Sequence, residues 1–464
     1  MSILLKNNFM TQSERKVNEI KKPKVAIIGA GYTGLTIAYY LVQHGCDVTI
    51  FEKEDFVGGL ASSFELDGLS MEKIWHFLYL SDDKALELAE RLGIKDKLVF
   101  HDSTVSTYYD GKLYPFMSPV DLLKFKPLSF LNRIRTGLVA VYLKKIKNWE
   151  PLTKITAYEW LKKYAGKQAT EVIWKPLLKG KFAKYYDKVL MSWLWGRIKV
   201  RIDSQEDSGE KLGYFQGGFG LLTDRLVEEI EKGGGKIKTG FKIDKILTEK
   251  NKVAVSYLST NSVDEHSVSE KKFDKVVVTT PSSVFADLIK DNDSVNPLYL
   301  KKLKSIQYVG AVVMVFSSSQ KISPYYWHNI NDEDMPFLVF LANSELAGKE
   351  TYDGKNIYYI GFYAEHEHKY FKEDPEKIMS EWLSALKKIF SDFDEKQITD
   401  KRLFKFKNAQ HIVDMNYRAK IPAHKTPLQN IYLSNFSQIY PEDRGLNFAI
   451  RDGEKIANMI IKEI

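Results

Sequence analysis

The patterned part of the chain begins with Val25-Ala-Ile-Ile28, a continuous apolar run of the length that makes a buried parallel strand. Gly29, Gly31 and Gly34 follow at once, and Ile37, Ala38 and Leu41 then recur at helical spacing. Val48 to Phe51 form a second apolar run, which ends on Glu52, 18 residues after Gly34. The order is strand, tight turn, helix, strand.

Beyond this unit the pattern alternates between the two periods. Phe64 to Ser70 predicts two short strands about Asp67-Gly68, and Tyr108 to Pro115 a hairpin about Asp110-Gly111. Helices are predicted over Asp82 to Leu92, Thr156 to Tyr164, Leu221 to Ile230 and Ile378 to Phe390. Strands are predicted over 236–239, 241–246, 252–258 and 276–278, then over Val309 to Phe316, Phe337 to Leu341 and Ile357 to Tyr363. A last strand near Ile431 feeds a loop, and a helix starts near Gly445 or Asn447 and runs to Ile460. The fold class is α/β, α+β overall.

Each glycine of the first turn has its own task. Gly29 permits the turn, Gly31 lets backbone approach a pyrophosphate, and Gly34 lets the helix pack closely on the strand. The helix N-terminus adds unpaired N–H groups and a positive dipole end, and Glu52 stands where an acid accepts from ribose hydroxyls. This spacing predicts a dinucleotide site. A second glycine pair, Gly58-Gly59, comes soon after the acid, where a nicotinamide enzyme has no evident use for it.

The string Gly29-Ala-Gly31-Tyr-Thr-Gly34-Leu, Phe51-Glu52-Lys and Gly58-Gly59-Leu-Ala-Ser-Ser resembles the N-terminal signature of the FAD-dependent amine oxidase and protoporphyrinogen oxidase superfamily. The resemblance implies FAD as cofactor and a Rossmann-like FAD-binding domain (23–80, 205–287 and 427–464) interleaved with a mixed-sheet and helical substrate domain (81–204 and 288–426). It implies that Gly58 and Gly59 cross the pyrophosphate, that Ile243 lies against adenine, and that the helix beginning near Gly445 and Asn447 aims its N-terminus at the flavin. Asn435 falls in the final motif, where Ser434-Asn435 replaces the family's alanine-glycine-acid string. His76, in Trp75-His76-Phe77, is the candidate acid, base or hydrogen-bond donor beside the ring.

Trp195, Arg197 and Arg201, with Arg444 far along the chain, are the candidate substrate residues, since aromatic rings beside guanidinium groups suit a flat or phosphorylated ligand. Amine oxidases of the superfamily place a lysine in the strand matching Val309 to Phe316, and this chain has none there. The reading is therefore an FAD-dependent oxidoreductase, of oxidase, dehydrogenase or desaturase type, that removes hydride from a largely apolar small-molecule substrate, larger than the amines of the superfamily's amine oxidases. Two other readings stand beside it. One is a reduced-flavin UDP-sugar mutase, since the histidine segment also resembles UDP-galactopyranose mutase, and the other is a flavin-bearing binding protein without turnover.

Composition adds limits. The formal charge is +8, a mild excess that favours acidic ligands or an anionic membrane surface, and nothing points to nucleic acid. Cys46 is the single cysteine, so no intramolecular disulfide and no cysteine-based metal cluster can form, and a reducing, cytoplasmic interior is expected. His366 and His368 stand near Glu365 and Glu367, yet alternate without further clustered ligands, so no metal is expected. Residues 1–22 are polar and are expected to form a flexible extension.

Between Asp121 and Lys147 seven basic residues face one acidic one, and Phe130, Leu131, Ile134, Leu138 and Val141 make an apolar stripe. Such a helix either faces the core or, as the resemblance implies, lies on an anionic bilayer, which at 130–147 would place the protein peripherally at the inner face of a membrane.

Overall fold

The computed structural model describes residues 22–206, 209–260 and 268–464, so the predicted N-terminal extension lies almost wholly outside the described residues. A five-stranded parallel sheet has the order Lys236–Lys238, Asp47–Phe51, Lys24–Ile28, Lys275–Val278, Ile431–Leu433. Alternation along the strands sorts side chains into two cores. Val25 and Ile27 face the helices Tyr32–Gln43, Gly220–Lys232 and Leu446–Ile461, while Ala26, Ile28, Val276 and Val278 face an antiparallel meander of Phe241–Glu249, Lys252–Ser259 and Ser269–Phe273. Cys46 is buried beside the first helix.

The second unit is built on a seven-stranded mixed sheet, ordered Ile398–His411, Tyr308–Ser318, Asn356–Ala364, Val339–Ala342, Trp327–Ile330, Val105–Tyr109, Lys112–Pro115. The strand Tyr308–Ser318, second in that order and paired on both sides, is buried at every position, which accounts for its unbroken apolar run. The helix Pro375–Ile389 covers one face through Ile378, Trp382 and Leu383, and the other face turns toward the helices of 119–203.

The helix Asp83–Arg91 packs on Leu446–Ile461, and Leu98–Asp102 pairs antiparallel with Gly209–Phe215 in a separate small sheet. The helix Phe130–Lys145 buries Thr136, Val139 and Leu143, and leaves the predicted apolar stripe outside, with Leu131 77% and Leu138 65% exposed. Met117, Val120 and Leu123, from the helix Pro119–Lys124 and its approach, extend that exposed surface.

Candidate active site

The first glycine loop has the geometry its spacing predicts. Gly29 takes φ +105°, and a Cβ on Gly34 would stand 2.1 Å from the Gly29 carbonyl oxygen, so only glycine lets the helix start this close to the strand. Gly31 and Gly58 form an isolated parallel bridge, and a Cβ on Gly59, at φ +60°, would lie 3.1 Å from Gly31 Cα. Glu52 closes the loop from the next strand. One carboxylate oxygen accepts from Ala30 N–H at 2.8 Å and the other from Glu54 N–H at 3.1 Å, which leaves lone pairs on both.

These residues fit a dinucleotide. The helices Tyr32–Gln43 and Leu446–Ile461 begin at Gly31 and Gly445 with no side-chain cap and no acid in the first turn, so their N–H groups and dipole ends are left for an anion. Among the described residues, the hydroxyls of Ser62 and Ser63, just after Gly58-Gly59, and of Thr280 and Ser434, just after parallel strands, are buried without a protein partner. Ligands of such sheets bind at the carboxyl ends of the strands.

The side chains of three predicted cofactor contacts also have partners within the protein. Ile243 turns its side chain into the meander core, next to a bulge that shifts the register between Ile243 and Lys245. Asn435 spends its amide on Ser437, Thr280 and Ser282. Asn447 caps the helix Asp83–Arg91 through the N–H groups of Lys84 and Ala85. His366 and His368 lie beyond the strand end, where His366 bonds the Lys407 carbonyl and His368 accepts from Tyr370 N–H.

A cavity of about 270 Å³ opens between the two units. Its walls are the segment Ile74 to Tyr79, the helices Lys175–Phe182 and Met191–Asp203, the strand Trp327–Ile330, and the loop Asp443 to Phe448. His76 and Gly445 therefore meet at one cavity, though 369 residues apart in sequence. Trp75 packs across Gly361, where a Cβ would come within 2.5 Å of the indole, and this fixes the segment that carries His76. His76 Nδ1 is 2.6 Å from the Ile74 carbonyl, and burial lowers its pKa to about 4, so the ring is neutral at physiological pH.

Arg197, Arg201 and Arg444 all line the cavity. Arg201 is paired side-on with Glu210, at 2.7 and 3.1 Å. Trp195 does not reach the cavity, contrary to expectation. Residues two apart on a helix do not share a face, so Trp193 points inward while Trp195 stacks on Trp149 at 6.4 Å.

The centre of the arrangement is Asp443, which sequence reasoning missed. Its Oδ2 accepts from Lys181 Nζ at 2.7 Å and Arg197 Nη1 at 2.8 Å, and its Oδ1 from Trp193 Nε1 at 3.2 Å and Arg444 N–H at 3.0 Å. Burial alone would raise its pKa, but Lys181, Arg197 and Arg444 outweigh that and hold it well below the usual carboxylate range. Gly196 makes the contact possible, because a Cβ there would stand 2.7 Å from the Pro441 carbonyl oxygen. Lys181 also went unnoticed, as did Asp82, a cavity carboxyl whose pKa burial raises to about 7. A lysine is thus present at the cavity, but it comes from Lys175–Phe182 and not from the buried strand Tyr308–Ser318.

The family description "flavin containing amine oxidoreductase" matches residues 32–458. Coproporphyrinogen III oxidase of Staphylococcus aureus is 26% identical over 63% of this chain and 67% of its own, and 15-cis-phytoene desaturase of Arabidopsis thaliana is 23% identical over 92% and 78%. The structure of reduced UDP-galactopyranose mutase superposes with TM-score 0.73 at 15% identity, covering 96% of this chain and 94% of that one, a likeness of fold. With a match across most of its length and a glycine cradle that fits the cofactor, the chain belongs to the flavin-containing amine oxidoreductase family and is an FAD-dependent oxidoreductase.

Proposed function

We propose that the protein dehydrogenates a largely apolar substrate that carries an anionic group. The supporting observation is the make-up of the cavity: Trp174, Trp193, Leu194 and Ile198 supply apolar wall, and Arg197 and Arg444 supply positive charge in excess of Asp443. Relatives named for porphyrinogen and phytoene substrates agree with the apolar part of this reading. FAD, when bound along Gly29 to Gly34, Glu52 and Gly58-Gly59, supplies the acceptor for a hydride and its two electrons.

The chain's own residues do the rest. The indoles and aliphatic side chains exclude water and hold the apolar body of the substrate. Arg444 donates from Nη2 to Tyr363 Oη at 3.1 Å, while its buried Nε has no protein partner among the described residues and is available to an anion. The N-terminus of Leu446–Ile461 favours negative charge developing beside it. Mixing holoenzyme anaerobically with coproporphyrinogen III, and separately with a UDP-sugar, tests the reading: bleaching of the flavin band by the porphyrinogen supports it. Retention of the band, with turnover of the UDP-sugar only after chemical reduction, supports the mutase instead.

We further propose that Phe130–Lys145 and Pro119–Lys124 rest on an anionic bilayer. Their exposed apolar side chains are flanked by Lys124, Lys144 and Lys145, a combination that supports interfacial binding. Among the described residues no helix is long and apolar enough to cross a membrane.

A further inference from the structure

We propose that Lys181 is the group that takes up the substrate proton during dehydrogenation, with Asp443 and Arg197 arranged so that its amine can lose and regain charge in place. The inference rests on the hydride-removal reading above. Lys181 lines the same cavity as His76 and Gly445, where substrate and cofactor edge would meet, and its Nζ bonds Asp443, another residue of that lining. His76 is poorly suited to the task, since it is engaged with the Ile74 carbonyl and burial leaves it a weak base.

The ion-pair geometry explains how a neutral amine is tolerated there. Lys181 and Arg197 share one oxygen of Asp443, and Trp193 and the Arg444 N–H hold the other. If Lys181 gives up its proton, the carboxylate keeps three donors, so no buried charge is stranded. Arg197 and Arg444 oppose the ammonium, Asp443 favours it, and the neutral His411 ring and Tyr363 complete the surroundings. Burial is the largest influence, and together these bring the Lys181 pKa down to about 7.

The step balances. A substrate C–H bond breaks and its hydrogen leaves as hydride with two electrons to FAD. The bond between hydrogen and the neighbouring carbon or nitrogen then breaks, its proton goes to the Lys181 lone pair, and its electrons form the new double bond.

Two measurements test this. In anaerobic stopped flow with coproporphyrinogen III, Lys181→Met should slow flavin reduction about 100-fold and remove a rise in rate centred near neutral pH, and ethylamine should partly restore Lys181→Ala. An unchanged rate and pH profile in Lys181→Met overturns the inference. Competitive acetylation of the wild-type holoenzyme by acetic anhydride, read by mass spectrometry, needs no substrate. Reactivity of Lys181 that titrates near pH 7 supports the inference, and titration at the ordinary lysine value of about 10 overturns it. If wild-type flavin is not reduced by the porphyrinogen, the substrate reading fails and the acetylation profile alone decides the role of Lys181.

Discussion

Lys181 Nζ and the Asp443 carboxylate lie 2.7 Å apart although 262 residues separate them in sequence. The pair ties the helix Lys175–Phe182 to the loop that starts the C-terminal helix, so it fastens the two units across the cavity. Removing one member of a buried pair leaves the others uncompensated. Asp443→Asn should therefore lower stability by about 3 kcal/mol, measurable by denaturant titration, because both Lys181 and Arg197 lose their counter-ion. A change within experimental error would show that the cluster is solvated.

The glycines of the first loop should separate into two classes. Gly34→Ala puts a methyl into the Gly29 carbonyl and should prevent folding of the loop, seen as aggregation or a greatly lowered melting temperature. Gly31 has ordinary φ, and its Cβ would meet nothing nearer than 4.0 Å, so Gly31→Val should fold and lose its flavin on gel filtration. A Gly31→Val protein that keeps full flavin contradicts the placement of the pyrophosphate.

Much of this was legible in the sequence. The glycine spacing, Glu52 and the apolar runs report local geometry, and local geometry is what a linear pattern encodes. Lys181 and Asp443 were illegible because their significance lies in a contact between segments far apart, and Lys179-Gly-Lys181-Phe182 has no periodicity that singles out one lysine. Trp195 reads as a neighbour of Arg197 in sequence until the helix is drawn, when the 3.6 period turns Trp193 to the cavity and Trp195 away from it. The stripe of Phe130 to Val141 predicted the helix but not its orientation, since amphipathicity alone does not say which side meets protein.

Acid should destabilise the fold through buried histidines. Burial holds His76 at about 4, and His328 and His411 at about 3, against 6.5 when unfolded. Between pH 6.5 and these values the unfolded chain binds more protons than the folded one, so stability falls as pH is lowered through that window. His328→Gln, which removes one such group, should flatten the decline in stability between pH 6.5 and 4 by at most one proton's worth of slope. An identical decline in variant and wild type would mean His328 is charged in the folded state.

Membrane contact has a similarly local test. Leu131→Glu with Leu138→Glu changes two exposed positions, so stability should move by less than about 0.5 kcal/mol while co-sedimentation with phosphatidylglycerol vesicles is lost. Equal binding of variant and wild type would place the lipid contact elsewhere or remove it.

The most direct measurement for the whole account is the visible spectrum of the purified protein, with mass identification of the cofactor that heat releases. The account predicts bound FAD whose absorbance bleaches when the holoenzyme meets a competent donor without oxygen. A protein that takes up no FAD even when it is supplied would contradict the assignment of Gly29, Gly31, Gly34, Glu52, Gly58 and Gly59 to a flavin site, and with it the oxidoreductase reading.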